Sequence, residues 1–280
     1  MENKPKTLYI LIGVFCIFAV IAGIYATFIE KTPDSPSSNN NNNSNTVVEK
    51  DKETIKAEFN DLFTNTINLN DFDTTGIVRL DNQKEIVYSA YDINKVEESY
   101  EINIHIPVVN IKSQVVNSFN QITQEIFANK ATEVLRNTDT SKKMIYSIDY
   151  TAYINGDILS VIIRSTLKEG TNAQRVIIQT YNYNLTTNKH VTLNEVITKK
   201  SLNKDDVNNK IMKVVREAYQ EEQAIQGMGY NTVFSRDIES DMYTVDNSNN
   251  FLLGPNNNLY IIYAYGNQNF TSEMDIVLFE

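Results

Sequence analysis

The chain has 280 residues, of which 41% are hydrophobic, enough for a large buried core and too many for a wholly disordered protein. Its net charge of -10 weighs against a phosphate-tracking surface and favours encounter with cationic partners. The single cysteine, Cys16, excludes an intramolecular disulfide and a thiolate-rich metal site.

Residues 8–29 read LYILIGVFCIFAVIAGIYATFI, a run of 22 without a charge. At about 1.5 Å per residue they make about 33 Å of helix, which matches a bilayer core of about 30 Å. The run therefore predicts a transmembrane helix, with Tyr9 and Tyr25 toward its ends and Lys4 and Lys6 keeping the amino end in the cytoplasm. The rival reading is a cleaved signal peptide, but its apolar core spans only about 7 to 15 residues before a small-x-small site. Ile24 and Ala26 fit that rule poorly, and Cys16 lacks the preceding small residue that lipid attachment needs, so it reads as a packing residue. Residues 30–50 combine Pro, Ser and an Asn tract that cannot bury enough apolar surface to offset ordering entropy. The expected organisation is a cytoplasmic tail 1–7, an anchor 8–29, a linker 30–50 and an extracytoplasmic domain 51–280 of a single-pass protein in the cell membrane.

Within that domain, Ile55, Phe59, Leu62, Phe63 and Ile67 stand at helical spacing and predict a helix over 53–67. EIVYSAY and SYEINIHIP follow as strands. In the second, Tyr100, Ile102, Ile104 and Ile106 alternate with Glu101, Asn103 and His105, which predicts one buried and one wet face, and Pro107 is expected to end the ladder. Asn110 is placed as the cap of a long helix to about residue 135, its buried stripe read as Ile111, Val115, Phe119, Ile122 and Ile126. Strands over 144–154, 158–167 and 176–185, the first two joined by Asn155-Gly156, predict an antiparallel meander. The last alternates Tyr181, Tyr183 and Leu185 with Asn182 and Asn184, then turns at Thr-Thr-Asn-Lys into a short HVTL strand and a helical turn, NEVI. Asn203 caps a second long helix over 204–224, with Asp205 and Asp206 at its positive end and Val207, Ile211, Val214, Val215 and Ala218 as its stripe. Three further strands are predicted over 242–245, 260–265 and 274–279. The fold class that follows is α+β, an antiparallel meander with two long helices packed on it, preceded by one transmembrane helix.

The succession YEINIHIPVVN, long helix, meander, YNYNLTTNKHVTLNEVI, helix and NNFLLGPNNNLYIIYAYG resembles the RsiV/PdaC-like extracytoplasmic domain family. That module forms the ectodomain of lysozyme-sensing anti-sigma factors and is also fused to peptidoglycan deacetylases. The resemblance covers residues 87–279 and implies a sensor domain for a protein, such as a lysozyme, or a cell-wall ligand. Family members carry a glycine-glycine-alanine-histidine loop after the second meander strand. Here the loop reads KEGTNAQR and keeps only Gly170 and Ala173. By that correspondence the partner-contacting residues are Lys168, Glu169, Gly170, Thr171, Asn172 and Gln174. The seven-residue tail is too short to hold a sigma factor, so sequestration is not expected.

Catalytic signatures are weak. His105 and His190 stand 85 positions apart, with no H-x-x-x-H or H-E-x-x-H spacing, and each reads as a solvated or packing residue. Residues 71–82, DFDTTGIVRLDN, approach a calcium loop but put Asn82 where the bidentate Glu belongs and Arg79 at position 9, so they read as a polar loop. Tyr181, Tyr183, Tyr260, Tyr263 and Tyr265 read as sheet packing rather than a sugar-stacking surface. No catalytic, cofactor or metal residue is assigned. The expected function is an extracytoplasmic binding or sensor domain; the alternative is a peptidoglycan-modifying enzyme or an accessory module of the cell envelope.

Overall fold

The computed structural model describes residues 50–230 and 234–280. The predicted tail, anchor and Cys16, with all of the linker except Lys50, lie outside the described residues. No helix among the described residues is long and apolar enough to cross a membrane.

The central pairing is the predicted hairpin, with Gly156 and Asp157 as its two loop residues and Asn155 still paired, to Ile158. β4 (Met144–Asn155) and β5 (Ile158–Glu169) run antiparallel without a register break, Gly156 supplying the left-handed φ of +61° that the turn requires. β6 (Arg175–Asn184) adds antiparallel to β5, which completes the predicted meander. The sheet as a whole is mixed, however. β2 (Val87–Val96) and β3 (Tyr100–Val109) form a hairpin, but β3 lies parallel to β4 over Tyr100–Ile104. A two-residue strand β1 (Ile67–Asn68) is parallel to β4 at Ala152 and Tyr153. With β7 (Lys189–His190) at the edge, the order is β2-β3-β4-β5-β6-β7.

Pro107 does not end its strand, contrary to expectation. The β3–β4 ladder already stops at Ile104↔Ile148, and Pro107 faces Ser89 beside a bulge in β2, so its missing N–H interrupts no pairing with β4. The alternation of β3 is as predicted: Tyr100, Ile102, Ile104 and Ile106 are buried, and Glu101 is exposed.

The crossover from β3 to β4 carries the largest departure from the predicted pattern. Its helix is three pieces, α2 (Gln114–Thr123), a π-helical turn (Gln124–Ala128) and α3 (Asn129–Leu135). The row against the sheet is Val116, Phe119, Thr123, Phe127, Ala131 and Val134, while Val115, Ile122 and Ile126 face outward. A polar Thr in the inner row and three aliphatics in the outer one invert the pattern by which a stripe is read. Val116, Phe127 and Val134 are fully buried, each contributing roughly 1.5–3 kcal/mol.

Asn110 is not the helix cap; Ser113 holds that position. The Asn110 side chain is fully buried, its Oδ1 accepting from the N–H groups of Leu80 and Asp81 and its Nδ2 donating to the carbonyls of Gln83 and Glu85. One amide thus holds an entire loop to β3. Asn110→Ala leaves four main-chain groups without that partner and is expected to cost about 3 kcal/mol, read as a lower midpoint in urea unfolding. An unchanged midpoint would show that the loop adds nothing to stability.

A second sheet, β10-β9-β8, forms from β8 (Phe251–Leu253), β9 (Leu259–Ala264) and β10 (Met274–Phe279). Its strands read as continuous apolar runs because both faces are covered. Leu252, Tyr260, Ile262, Ile276 and Leu278 meet Tyr153, Ile162, Val176 and Ile178 from the back of the first sheet. Phe251, Leu253, Leu259, Ile261 and Val277 meet α4 (Leu193–Lys199) and α5 (Lys204–Gly227). The two long helical segments therefore lie on opposite outer sides, α2 and α3 on one sheet and α5 on the other.

The predicted strand at 242–245 is a 3-10 turn, Asp241–Tyr243. The predicted first helix ends early: α1 spans Lys52–Asn60, Asn65 takes φ +57°, and Ile67 belongs to β1. Asn203 caps α5 as expected, accepting from the N–H groups of Asp205 and Asp206. Asn182, expected to be wet, is buried and bridges Ser160 to the carbonyl of Phe251 in the second sheet.

Candidate functional site

Residues 168–174 form the tip of the β5–β6 hairpin. Gly170 lies at φ +55° and donates to the Lys143 carbonyl at 2.9 Å, while the Asn172 N–H closes a turn on the Glu169 carbonyl at 3.0 Å. Lys130 from α3 reaches both Glu133 and Glu169 at 2.9 Å, bracing the hairpin against the helix. Lys168 and Glu169 are half-buried, whereas Thr171, Asn172 and Gln174 are exposed. The tip thus offers a hydroxyl and two amides from a braced turn.

Above this pole runs the outer row of the crossover helix, with Val115 37%, Ile122 45% and Ile126 41% exposed. Ile126 is one helical turn from Lys130, so the apolar row and the braced hairpin adjoin. Apolar side chains aligned on one helix face of a strongly charged protein form the kind of patch that partners cover.

The remaining sequence candidates have local explanations. His105 faces Asp92 across the β2–β3 ladder, its Nδ1 3.3 Å from the carboxylate, and His190 lies edge-on to Tyr181 on β7. Among the described residues neither histidine hydrogen-bonds a hydroxyl, and no three His, Cys, Asp or Glu side chains converge as metal ligands. The loop over 71–82 folds around Arg79, whose guanidinium donates to the carbonyls of Thr74, Ile77 and Lys84, while Asp73 accepts from the Thr75 N–H. Asp81 accepts from the Tyr88 hydroxyl at 2.5 Å, and that bond pushes the phenol up to about 12. All five singled-out tyrosines are buried; Tyr181 stacks on Phe119 at 4.1 Å and Tyr263 shares a hydrogen bond with Ser248 at 2.6 Å.

Two features had no sequence signal. The first is a buried polar network between α5 and β10. The Arg236 guanidinium grips Asp275 with two bonds, at 2.7 and 2.9 Å, and the Tyr265 hydroxyl donates to the same carboxylate at 2.6 Å. Glu222, also buried, accepts the Arg236 main-chain N–H at 3.0 Å. Burial works against the guanidinium charge, but its bonds to Asp275 outweigh it and raise the Arg236 pKa above the ordinary arginine value. Burial, reinforced by the Asp275 charge, also holds the Tyr265 hydroxyl far above the usual tyrosine range.

The second is a cavity of about 330 Å³ at the end of the sheet where β4 turns into β5. Asn70, Asn155, Gly156, Lys199, Lys200 and Asn257 supply its polar lining, and Ile158, Val196 and Leu253 its apolar floor.

No family model matches this chain. No curated protein matches it either. Among solved structures, a DUF3298 family protein from Pseudomonas aeruginosa PAO1 is similar at 11% identity, with 65% of this chain and 82% of that chain covered and a TM-score of 0.37. A likeness that distant carries neither fold nor function across.

Chemically, the hairpin tip, the helix row and the cavity can offer hydrogen bonds, apolar contact and charge to a ligand. The buried network is an interior brace rather than a reacting centre.

Proposed function

We propose that this protein is a single-pass membrane protein whose α+β domain lies outside the cytoplasm and binds a cationic protein of the lysozyme kind. In this reading the contact falls on the outer helix row and the neighbouring hairpin, residues 168–174. The observation that carries the reading is the row of Val115, Ile122 and Ile126, exposed together on a chain of net charge -10. Apolar contact supplies short-range adhesion, and the acidic field supplies long-range attraction for a basic partner. The uncharged run at 8–29 supports the placement at the membrane.

The test uses the full chain in lipid discs, titrated with lysozyme at low and high salt. Binding at low salt that weakens as salt rises is expected, and Ile122→Asp with Ile126→Asp should lower affinity by tenfold or more. Absence of binding at low salt removes this partner; binding that the double variant leaves unchanged removes the surface. Protease added to intact cells should digest the domain, and protection of it would reverse the topology.

A further inference from the structure

We infer that the cavity at the β4–β5 turn is a binding site for a small monocarboxylate carrying a short apolar group. The inference concerns a different pole from the helix row and holds whether or not the chain is membrane-bound.

Its walls come from four stretches far apart in sequence, at Asn70, Asn155–Ile158, Val196–Lys200 and Leu253–Asn257, and they are tied together by their own hydrogen bonds. Asn155 Nδ2 donates to the carbonyls of Leu253 and Gly254 at 2.9 and 3.1 Å, and Asn70 Nδ2 donates to Asn155 Oδ1 and to the Ile154 carbonyl, both at 3.0 Å. Asn70, Gly156, Asn256 and Asn257 all take left-handed backbone conformations around this one cavity, a concentration of constraint that rigid binding sites share.

Two lysines enter this space, and their charges are balanced differently. The Lys199 ammonium pairs with the Asp157 carboxylate, which that bond keeps below the ordinary carboxylate range. Lys200 has no carboxylate within salt-bridge distance among the described residues. It follows the C-terminus of α4, yet instead of folding back on that helix its ammonium donates across the cavity to the Asn257 carbonyl at 2.7 Å. Lys200 is half-buried, and that partial burial lowers its pKa, the direction expected for a cation partly withdrawn from water without a counter-ion.

The ligand class follows from this inventory. One uncompensated positive charge with two N–H donors to spare calls for one negative charge with oxygen acceptors. A dianion would meet Asp157 at the rim and lose part of the gain. Ile158, Val196 and Leu253 are all buried and form a floor for a methyl-sized substituent rather than a second polar group.

The experiment is amine acylation of the full chain, followed lysine by lysine by mass spectrometry, with N-acetylalanine as the probe and its neutral amide as control. The probe should slow modification of Lys200 saturably, the amide should not, and Lys204, paired with Asp246 elsewhere, should be unaffected. In equilibrium dialysis, Lys200→Gln should weaken probe binding tenfold or more while Lys204→Gln leaves it unchanged. Equal protection by acid and amide, or no saturable protection of Lys200, overturns the inference without bearing on lysozyme binding.

Discussion

Gly266→Ala is expected to be the most damaging glycine-to-alanine change among the described residues. Gly266 follows β9 in the 3-10 turn Tyr265–Asn267, which docks on the open edge of β6. A Cβ there would lie 1.8 Å from the Val176 carbonyl oxygen and 2.7 Å from that of Thr271, both main-chain atoms that no rotamer change can move. The docking itself is dense: Arg175 donates to the Gly266 carbonyl at 2.6 Å, and the Asn267 side chain bonds both the N–H and the carbonyl of Ile178. That amide covers a strand edge which would otherwise offer a template for aggregation. Relief of the clash requires the turn to leave β6, which opens the contact between the sheets. The expected loss is about 3 kcal/mol or more. For a domain of this size it corresponds to roughly 6–12 °C in thermal midpoint, measurable by circular dichroism. Gly76→Ala, with nothing within 4 Å of the added carbon, is the control and should shift it little. A Gly266→Ala midpoint equal to that control would mean that the turn does not sit on β6 as described.

Why parts of this fold were legible and others were not follows from what each segment faces. α5 has one dry and one wet side, so Val207, Ile211, Val215 and Ala218 stand out at helical spacing and Asn203 marks the start. β4, β5 and β6 were legible from strand-forming residues and from the Asn155-Gly156 turn. The crossover helix misled because Thr123 occupies the inner row while Ile122 and Ile126 occupy the outer one. Tyr243 and Val245 are both buried two positions apart, which imitates a strand, although Tyr243 closes a 3-10 turn. Three-residue β8 is too short to show a period, whereas β9 and β10, covered on both faces and without alternation, were still legible as runs of strand formers at 260–265 and 274–279. Asn110 looked like a cap because its type suits one; its role depends on a loop 25 to 30 residues away. The hairpin tip at 168–174 was placed by family resemblance, and its position on the braced pole is a tertiary fact. The Lys200 cavity joins four distant stretches, so no spacing along the chain could have announced it.

The Arg236–Asp275 pair yields the second large effect, and the sign depends on how it is broken. Their side chains are 4% and 0% exposed, so each charge has given up its hydration for the other. Asp275→Ala leaves a buried guanidinium with, among the described residues, only Glu273 at 3.5 Å within salt-bridge reach, and takes the acceptor from the Tyr265 hydroxyl, which keeps Tyr243 beside it. An uncompensated buried charge makes this change cost about 3–5 kcal/mol. Removing both charges together, as Arg236→Met with Asp275→Leu, spares that penalty, and the Arg236 main-chain bond to Glu222 survives any side-chain change. The double variant should therefore be less destabilised than Asp275→Ala alone, with a coupling energy of about 1 kcal/mol or more in a urea-unfolding cycle. If the pair instead acts through packing, the two single losses will simply add. Such additivity would assign the stability of this junction to Phe234 stacked on Tyr265 at 4.3 Å rather than to the ions.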